Sequence, residues 1–272
     1  MLIDLTKMRK IHDVQYEMMI ELIVVMNELK IKYYFVHGSL LGAVTTGQFI
    51  PEDDDIDIAI FREDYNKLME HGSKYLKKHY FLQSSTTDDF PLAFAKMRDS
   101  RTTFRQPVLE NYNCNKGIYI DIFPIDYVSD NYFEKLKVRL LNQRLNSRLS
   151  INNSTYFRRF IKSIVTFLYP SWQKAADDRE MIYSNIAHSN FVSVTNGKSS
   201  EQCIPIEWFS DGLQFKFRDI KVNCPSMYSE YLSTIYCKNF EHYNPAENRI
   251  FENNCIKVSA DLIEFDSCDQ NI

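Results

Sequence analysis

Residues 50–60 read Ile-Pro-Glu-Asp-Asp-Asp-Ile-Asp-Ile-Ala-Ile, a block of carboxylates running straight into an alternating apolar segment. The two-residue period predicts a strand over 55–60, with Asp55 and Asp57 on one face and Ile56 and Ile58 on the other. Two carboxylates about 7 Å apart along one face repel each other unless a cation lies between them. A hard divalent ion such as Mg2+, with Mn2+ able to replace it, suits carboxylate oxygens and often shares its shell with phosphate. The plainer alternative is a solvated acidic turn entering a strand. Asp53 and Asp54 extend the block, but Pro51 places them in a loop, so they count as accessory.

Just upstream, Tyr33 to His37 (YYFVH) is an aromatic and β-branched run ending at Gly38-Ser39, after which Leu40, Leu41, Ala43 and Val44 follow at helical spacing. Strand, Gly-Ser, helix is a geometry in which backbone N–H groups and a hydroxyl can meet a phosphate. Downstream, Gly117-Ile-Tyr-Ile-Asp-Ile-Phe-Pro124 reads as a strand over 118–123, bounded by Gly117 and Pro124, with Asp121 in its middle. A charge inside such a strand costs several kcal/mol unless it is paired or ligates a metal, so Asp121 is either held by a neighbouring Lys or Arg or is a third ligand. In the second case the strands 55–60 and 118–123 must be neighbours. Three converging carboxylates could then hold one or two metal ions that clamp the oxygens of a phosphoryl transfer. Lys96, Arg98, Arg101 and Arg105 lie between the carboxylate sites and could neutralise phosphate, Arg by a bidentate grip and Lys as a point charge.

These stretches, GSLLGAVTTGQFIPEDDDIDIAI, KMRDSRTTF at 96–104 and GIYIDIFPID at 117–126, resemble the LicD family, which includes the fukutin-type proteins. The resemblance covers roughly residues 10–130 and recurs weakly at Tyr228 to Pro245. It implies an α+β fold: a nucleotidyltransferase (polymerase-β-like) mixed sheet flanked by helices, with a mainly helical C-terminal part. It also implies a phosphotransferase that moves phosphocholine, or another phospho-alcohol such as glycerol or ribitol phosphate. The donor would be a CDP-activated alcohol, and CMP would be released. The acceptor would be a hydroxyl of a cell-surface glycan (teichoic acid, capsule or lipopolysaccharide) or its lipid-linked precursor. On this reading Asp55, Asp57 and Asp121 are catalytic and hold Mg2+, while Gly38, Ser39, Lys96 and Arg101 bind the donor phosphates. Two positions depart from the family pattern: Thr45 stands where an arginine is usual and Glu52 where an aromatic is usual. Both bear on donor or acceptor recognition and neither removes a ligand.

The 272 residues suffice for one large domain or a core with an appended part, and 44% apolar content is that of a folded globular chain. A net charge of −4 argues against nucleic acid as the main partner. No apolar run approaches eighteen residues and the N-terminus is charged within four, so the chain is expected in the cytoplasm. The six cysteines show no Cys-x-x-Cys or Cys/His spacing, which makes structural zinc unexpected and reduced thiols the natural reading.

Ile11, Val14, Met18, Leu22, Val25 and Leu29 predict an amphipathic helix over 7–30, and a second helix is predicted over 62–78. Phe90 to Met97 and Ser100 to Arg105 read as short strands. The character changes near residue 130, giving an expected catalytic core over 1–130 and a helical and mixed part over 131–272. Residues 132–169 look helical and basic; this segment either packs on the core with a solvated charged face or touches the inner face of the membrane. Another helix is predicted over 171–187, strands within 214–222, and a helix after Pro225. His37 reads as a structural histidine at a strand end, and His242 and Arg249 as distant candidates for an acceptor pocket.

The three carboxylates serve a nucleotidyltransferase equally well, with NMP moved to a hydroxyl and pyrophosphate released. A metal-dependent glycosyltransferase also uses Asp-x-Asp, but only 54 residues precede Asp55. A carbohydrate-binding module needs no aligned carboxylates.

Overall fold

The computed structural model describes residues 5–106, 109–149, 163–164, 166–194, 203–236 and 265–267. The N-terminal apolar stripe forms helix α1 (Leu5–Glu28), with Ile11, Met18, Leu22 and Val25 buried against the sheet. Then follow β1 (Tyr33–Phe35), α2 (His37–Thr45), β2 (Asp57–Phe61), α3 (Arg62–His71), β3 (Tyr80–Gln83), β4 (Ala95–Asp99), β5 (Thr102–Phe104) and β6 (Ile118–Tyr127). The main sheet runs β1-β2-β6-β4-β3. β2 and β6 are parallel neighbours at its centre, and the other pairs are antiparallel. Both strands are central and covered on both faces, so DIAIF and IYIDIFPIDY are almost continuously buried and, apart from their aspartates, largely apolar. This is the expected α+β architecture, a mixed sheet flanked by helices.

Several boundaries differ from the sequence reading. The helix over 62–78 stops at His71 and closes with a 3-10 turn (Gly72–Lys74), and strand β3 follows it. The strand at 118 does not stop at Pro124 but continues to Tyr127. Asp121 N–H donates to Ile56 O on the β2 side, so by alternation residue 124 has its nitrogen toward the other edge. There the pairing with β4 ends at Ile122 and the pairing with β7 (Phe191–Val194) begins at Ile125. Proline sits in the gap, where no N–H is needed.

The change of character near residue 130 is not a break in packing. β7 extends the main sheet and carries the two-residue strand β8 (Ile204–Pro205). The hairpin β9 (Leu213–Phe217) and β10 (Ile220–Cys224) docks beside β1, where Asn223 Nδ2 donates to Tyr33 O. Val192, Phe209, Phe217, Val222 and Tyr231 share one apolar core with β2 and β6.

Helices α4 (Tyr132–Leu149) and α5 (Trp172–Asn185) pack on each other. Ser171 caps the second by accepting from Lys174 N–H. They are tied to the sheet by buried charge: Arg62 grips Asp126 of β6 through two bonds, at 2.5 and 2.9 Å, and also pairs with Glu180. Arg179 meets Glu180, Asn142 and the carbonyl of Ala93. Helix α6 (Tyr228–Ile235) packs on α2. No helix among the described residues is long and apolar enough to cross a membrane.

Candidate active site

The site grows out of one row across the sheet. Asp57 of β2 is in register with Asp121 of β6, Asp121 with Lys96 of β4, and Lys96 with Gln83 of β3. Register partners present their side chains to the same face, so four polar residues from distant parts of the chain stand side by side. Asp55 joins them from the loop before β2, not from the strand itself, which begins at Asp57. Asp55, Asp57 and Asp121 each offer a carboxylate oxygen, all within 4.8 Å of one another, and Asp53, Asp54 and Asp55 form a second such group.

The acidic loop is held from behind. His12 Nε2–H donates to Asp53 O and Gln15 Nε2 to Asp54 O, both at 2.7 Å, and Gln15 also reaches Tyr119 O. These two polar residues interrupt the apolar stripe of α1. That interruption is the sequence signal of their role. Asp53 turns its carboxylate onto Gly38, where a Cβ would lie 1.9 Å from Asp53 Oδ2; only glycine admits that approach.

Gly38 and Ser39 fall inside the first turn of α2, which starts at His37, three residues before the Leu40 start of the strand-turn-helix reading. The Gly38 backbone bonds to the Asp57 carboxylate, and Ser39 Oγ accepts from Asp57 N–H at 2.8 Å. His37 is the first residue of that helix, with a φ of +47°. Its ring packs between Phe123 and Tyr231, its Nε2 has no partner among the described residues, and burial lowers its pKa to about 4. It is a neutral imidazole under ordinary conditions.

Lys96 forms an ion pair with Asp121, and its ammonium lies 3.4 Å from the centre of the Tyr119 ring. Arg98, two residues along the same strand face, stacks on the other part of that neighbourhood, 4.9 Å from the Tyr119 ring centre, and bonds Gln83 and Gly117 O. Arg101 is not brought to the cluster. It pairs with Asp99 at 2.7 Å, at the end of β4 away from Lys96. Arg98 therefore lies closer to the carboxylates than the arginine the motif pointed to.

Tyr119, Tyr231 and Tyr236 were not singled out as site residues. Burial raises all three well above the ordinary tyrosine value, and the nearby charges of Asp54, Asp57 and Asp53 respectively push in the same direction. His242 and Arg249 lie outside the described residues.

Four acids with little opposing charge hold protons strongly. Burial, then the neighbouring carboxylates, pushes Asp53 up to about 7; burial pushes Asp54 up to about 6 against the pull of Lys96; and Asp55 and Asp57 stand well above the usual carboxylate range. The donor set is all carboxylate oxygen and close-set, with Lys96 on Asp121 as its counter-charge and Asp53, Asp54, Asp55 and Asp57 still holding protons strongly, which fits a hard divalent cation.

A carboxyl with a raised value binds its proton more tightly in the folded than in the unfolded chain. The stability this confers is complete below the ordinary 3.8 and is lost as pH climbs through the raised value, for Asp53 between 3.8 and about 7. The chelated protein is therefore expected to melt lower at pH 8 than at pH 5, with Mg2+ restoring Tm at pH 8. A Tm in EDTA that rises across this interval would contradict the assignment.

Residues 30–157 match the family profile described as LicD/FKTN/FKRP, nucleotidyltransferase domain. The chain is also 24% identical over 222 residues to the lipopolysaccharide cholinephosphotransferase LicD of Haemophilus influenzae, an alignment covering 76% of this chain and 81% of that protein.

Proposed function

We propose, on the match of residues 30–157 to the LicD/FKTN/FKRP nucleotidyltransferase-domain profile, that the chain is a metal-dependent phosphotransferase. It moves a phospho-alcohol group, phosphocholine first, from a CDP-activated donor to a hydroxyl of a cell-surface glycan or its lipid-linked precursor, releasing CMP. The observation that carries this reading is the meeting of Asp55, Asp57 and Asp121 on one sheet face, with Lys96 beside them.

Asp55, Asp57 and Asp121 would hold Mg2+, or Mn2+ in its place, with Asp53 and Asp54 as accessory charge. The ion supplies charge neutralisation at the reacting phosphate oxygens. The acceptor oxygen forms a bond to the phosphorus bearing the alcohol, the phosphorus–oxygen bond to CMP breaks, and the hydroxyl proton goes to a carboxylate. Asp121 is the candidate base, because it is fixed by Lys96 in the middle of the row. Lys96 adds a point charge, and Arg98 stands behind it. Ser39 accepts from Asp57 N–H through its oxygen and so keeps its own proton to donate to phosphate. Alignment and charge do this work, so no nucleophilic side chain is required.

The test is a screen of CDP-alcohols with Mg2+, with and without glycan acceptors, reading CMP and pyrophosphate separately. CMP release that needs the acceptor and vanishes on chelation supports the proposal. Pyrophosphate release identifies nucleotidyl transfer instead, and turnover that survives exhaustive chelation sinks the metal assignment. Ser39→Ala should weaken donor binding about three- to tenfold, the size of one hydrogen bond. A change confined to acceptor KM would remove Ser39 from the donor site.

A further inference from the structure

Helix α4 has two apolar faces on opposite sides. Val138, Leu141 and Leu145 are buried against the body of the protein. At about 100° per residue, Tyr132, Phe133, Leu136 and Leu140 fall within an arc of about 100° directly opposite. Tyr132 is 70% exposed, Phe133 77% and Leu136 40%. Lys137 borders this stripe on one side, and Lys135 and Arg139 border it on the other; all three are exposed. Glu134 points away from the stripe and is engaged by Ser129 Oγ at 2.5 Å.

The exposed turn is a formed helix end. Asn131 Oδ1 accepts from Phe133 N–H at 2.9 Å, and Asn131 O accepts from Lys135 N–H. A second apolar group lies on the segment leading into α5: Ile164, Phe167 at 86% exposed, and Leu168. That segment is tied to α4 by Arg144, which donates to the carbonyls of Tyr169 and Pro170.

We infer that this face of α4 seats on an anionic lipid surface, with Tyr132, Phe133 and Leu136 entering the headgroup–acyl boundary and Lys135 and Lys137 meeting lipid phosphates. The charge argues for this occupant. The chain as a whole carries −4, yet the rim of its exposed apolar helix is locally cationic, the complement of an acidic bilayer surface. Aromatic rings beside lysines on a capped helix are the composition that such an interface selects. The inference does not rest on the transfer reaction and is tested without an activity readout.

The experiment is co-sedimentation of the full chain with phosphatidylcholine vesicles, with and without phosphatidylglycerol. The protein is expected to pellet with the anionic vesicles and to be released by salt. The double substitution Phe133→Ser, Leu136→Ser should lower the partition coefficient at least about tenfold, from two lost apolar side chains. Lys135→Gln with Lys137→Gln should lower it about fivefold per lysine. All four positions are exposed, and circular dichroism with an unchanged Tm confirms that the variants fold. Failure of the parent chain to bind anionic vesicles at low salt overturns the inference, as does binding that neither pair diminishes. Sedimentation velocity without vesicles supplies the remaining arm: a dimer dissolved by Leu136→Ser would mean that a second copy covers this face.

Discussion

Asp57→Asn is expected to lower turnover by at least about 10³-fold, the several kcal/mol of charge stabilisation that a correctly held metal supplies. The substitution isolates charge from shape. Asparagine keeps an oxygen to accept the Gly38 backbone bond, and its backbone N–H still reaches Ser39 Oγ, so β2 should start where it does now. Removing one of the crowded carboxylates also relieves repulsion with Asp53, Asp55 and Asp121. The variant should therefore melt at the same or a higher temperature in EDTA and lose the rise in Tm that Mg2+ gives the parent chain. Activity within tenfold of the parent, or a sharp fall in Tm without metal, would make Asp57 a structural residue.

Asp121→Asn should cost at least on the order of 10²-fold in turnover, as loss of a ligand or base does. Asp121 differs from Asp57 in having a cation partner. Neutralising it leaves the buried Lys96 with a weaker counter-charge, so a stability loss accompanies the loss of activity. A second variant separates the two effects. Lys96→Met with Asp121→Asn removes the stranded charge and should recover Tm without recovering turnover. If the double variant regains activity together with stability, Asp121 serves only to neutralise the buried Lys96, and neither residue belongs to the reacting site. If Asp121 is the base, the single variant should also lose the acid limb of the kcat–pH profile, a readout that a purely structural role would not move.

The chemistry-bearing motifs were legible because each is local. The carboxylate block, the Gly-Ser turn and the isolated Asp121 announce themselves as charges or breaks in apolar periodicity. The family resemblance supplied their order, and the α+β sheet followed from short apolar strands alternating with amphipathic helices. Alternation put Asp55 and Asp57 on one strand face; the structure instead starts the strand at Asp57 and brings Asp55 in from a loop. The convergence survives because the loop is held by His12 and Gln15, whose partners lie 41 and 39 residues away.

What the chain determined by itself is which segments form strands and helices and which charges cannot rest in a core unaided, since both depend on neighbours within a few residues. What only the tertiary structure decided is register. Asp57 faces Asp121 across 64 residues, and Lys96 rather than Arg101 faces Asp121, because β6 pairs with β2 on one edge and β4 on the other. A strand's pattern fixes its two faces, but a shift of two residues preserves those faces while changing every partner. The same holds for Pro124, a strand end when read locally. Here it is harmless, because its missing N–H falls in the gap between β4 and β7. Which residue meets which is a property of the assembled sheet, where hydrogen bonds and buried area from distant segments are satisfied together.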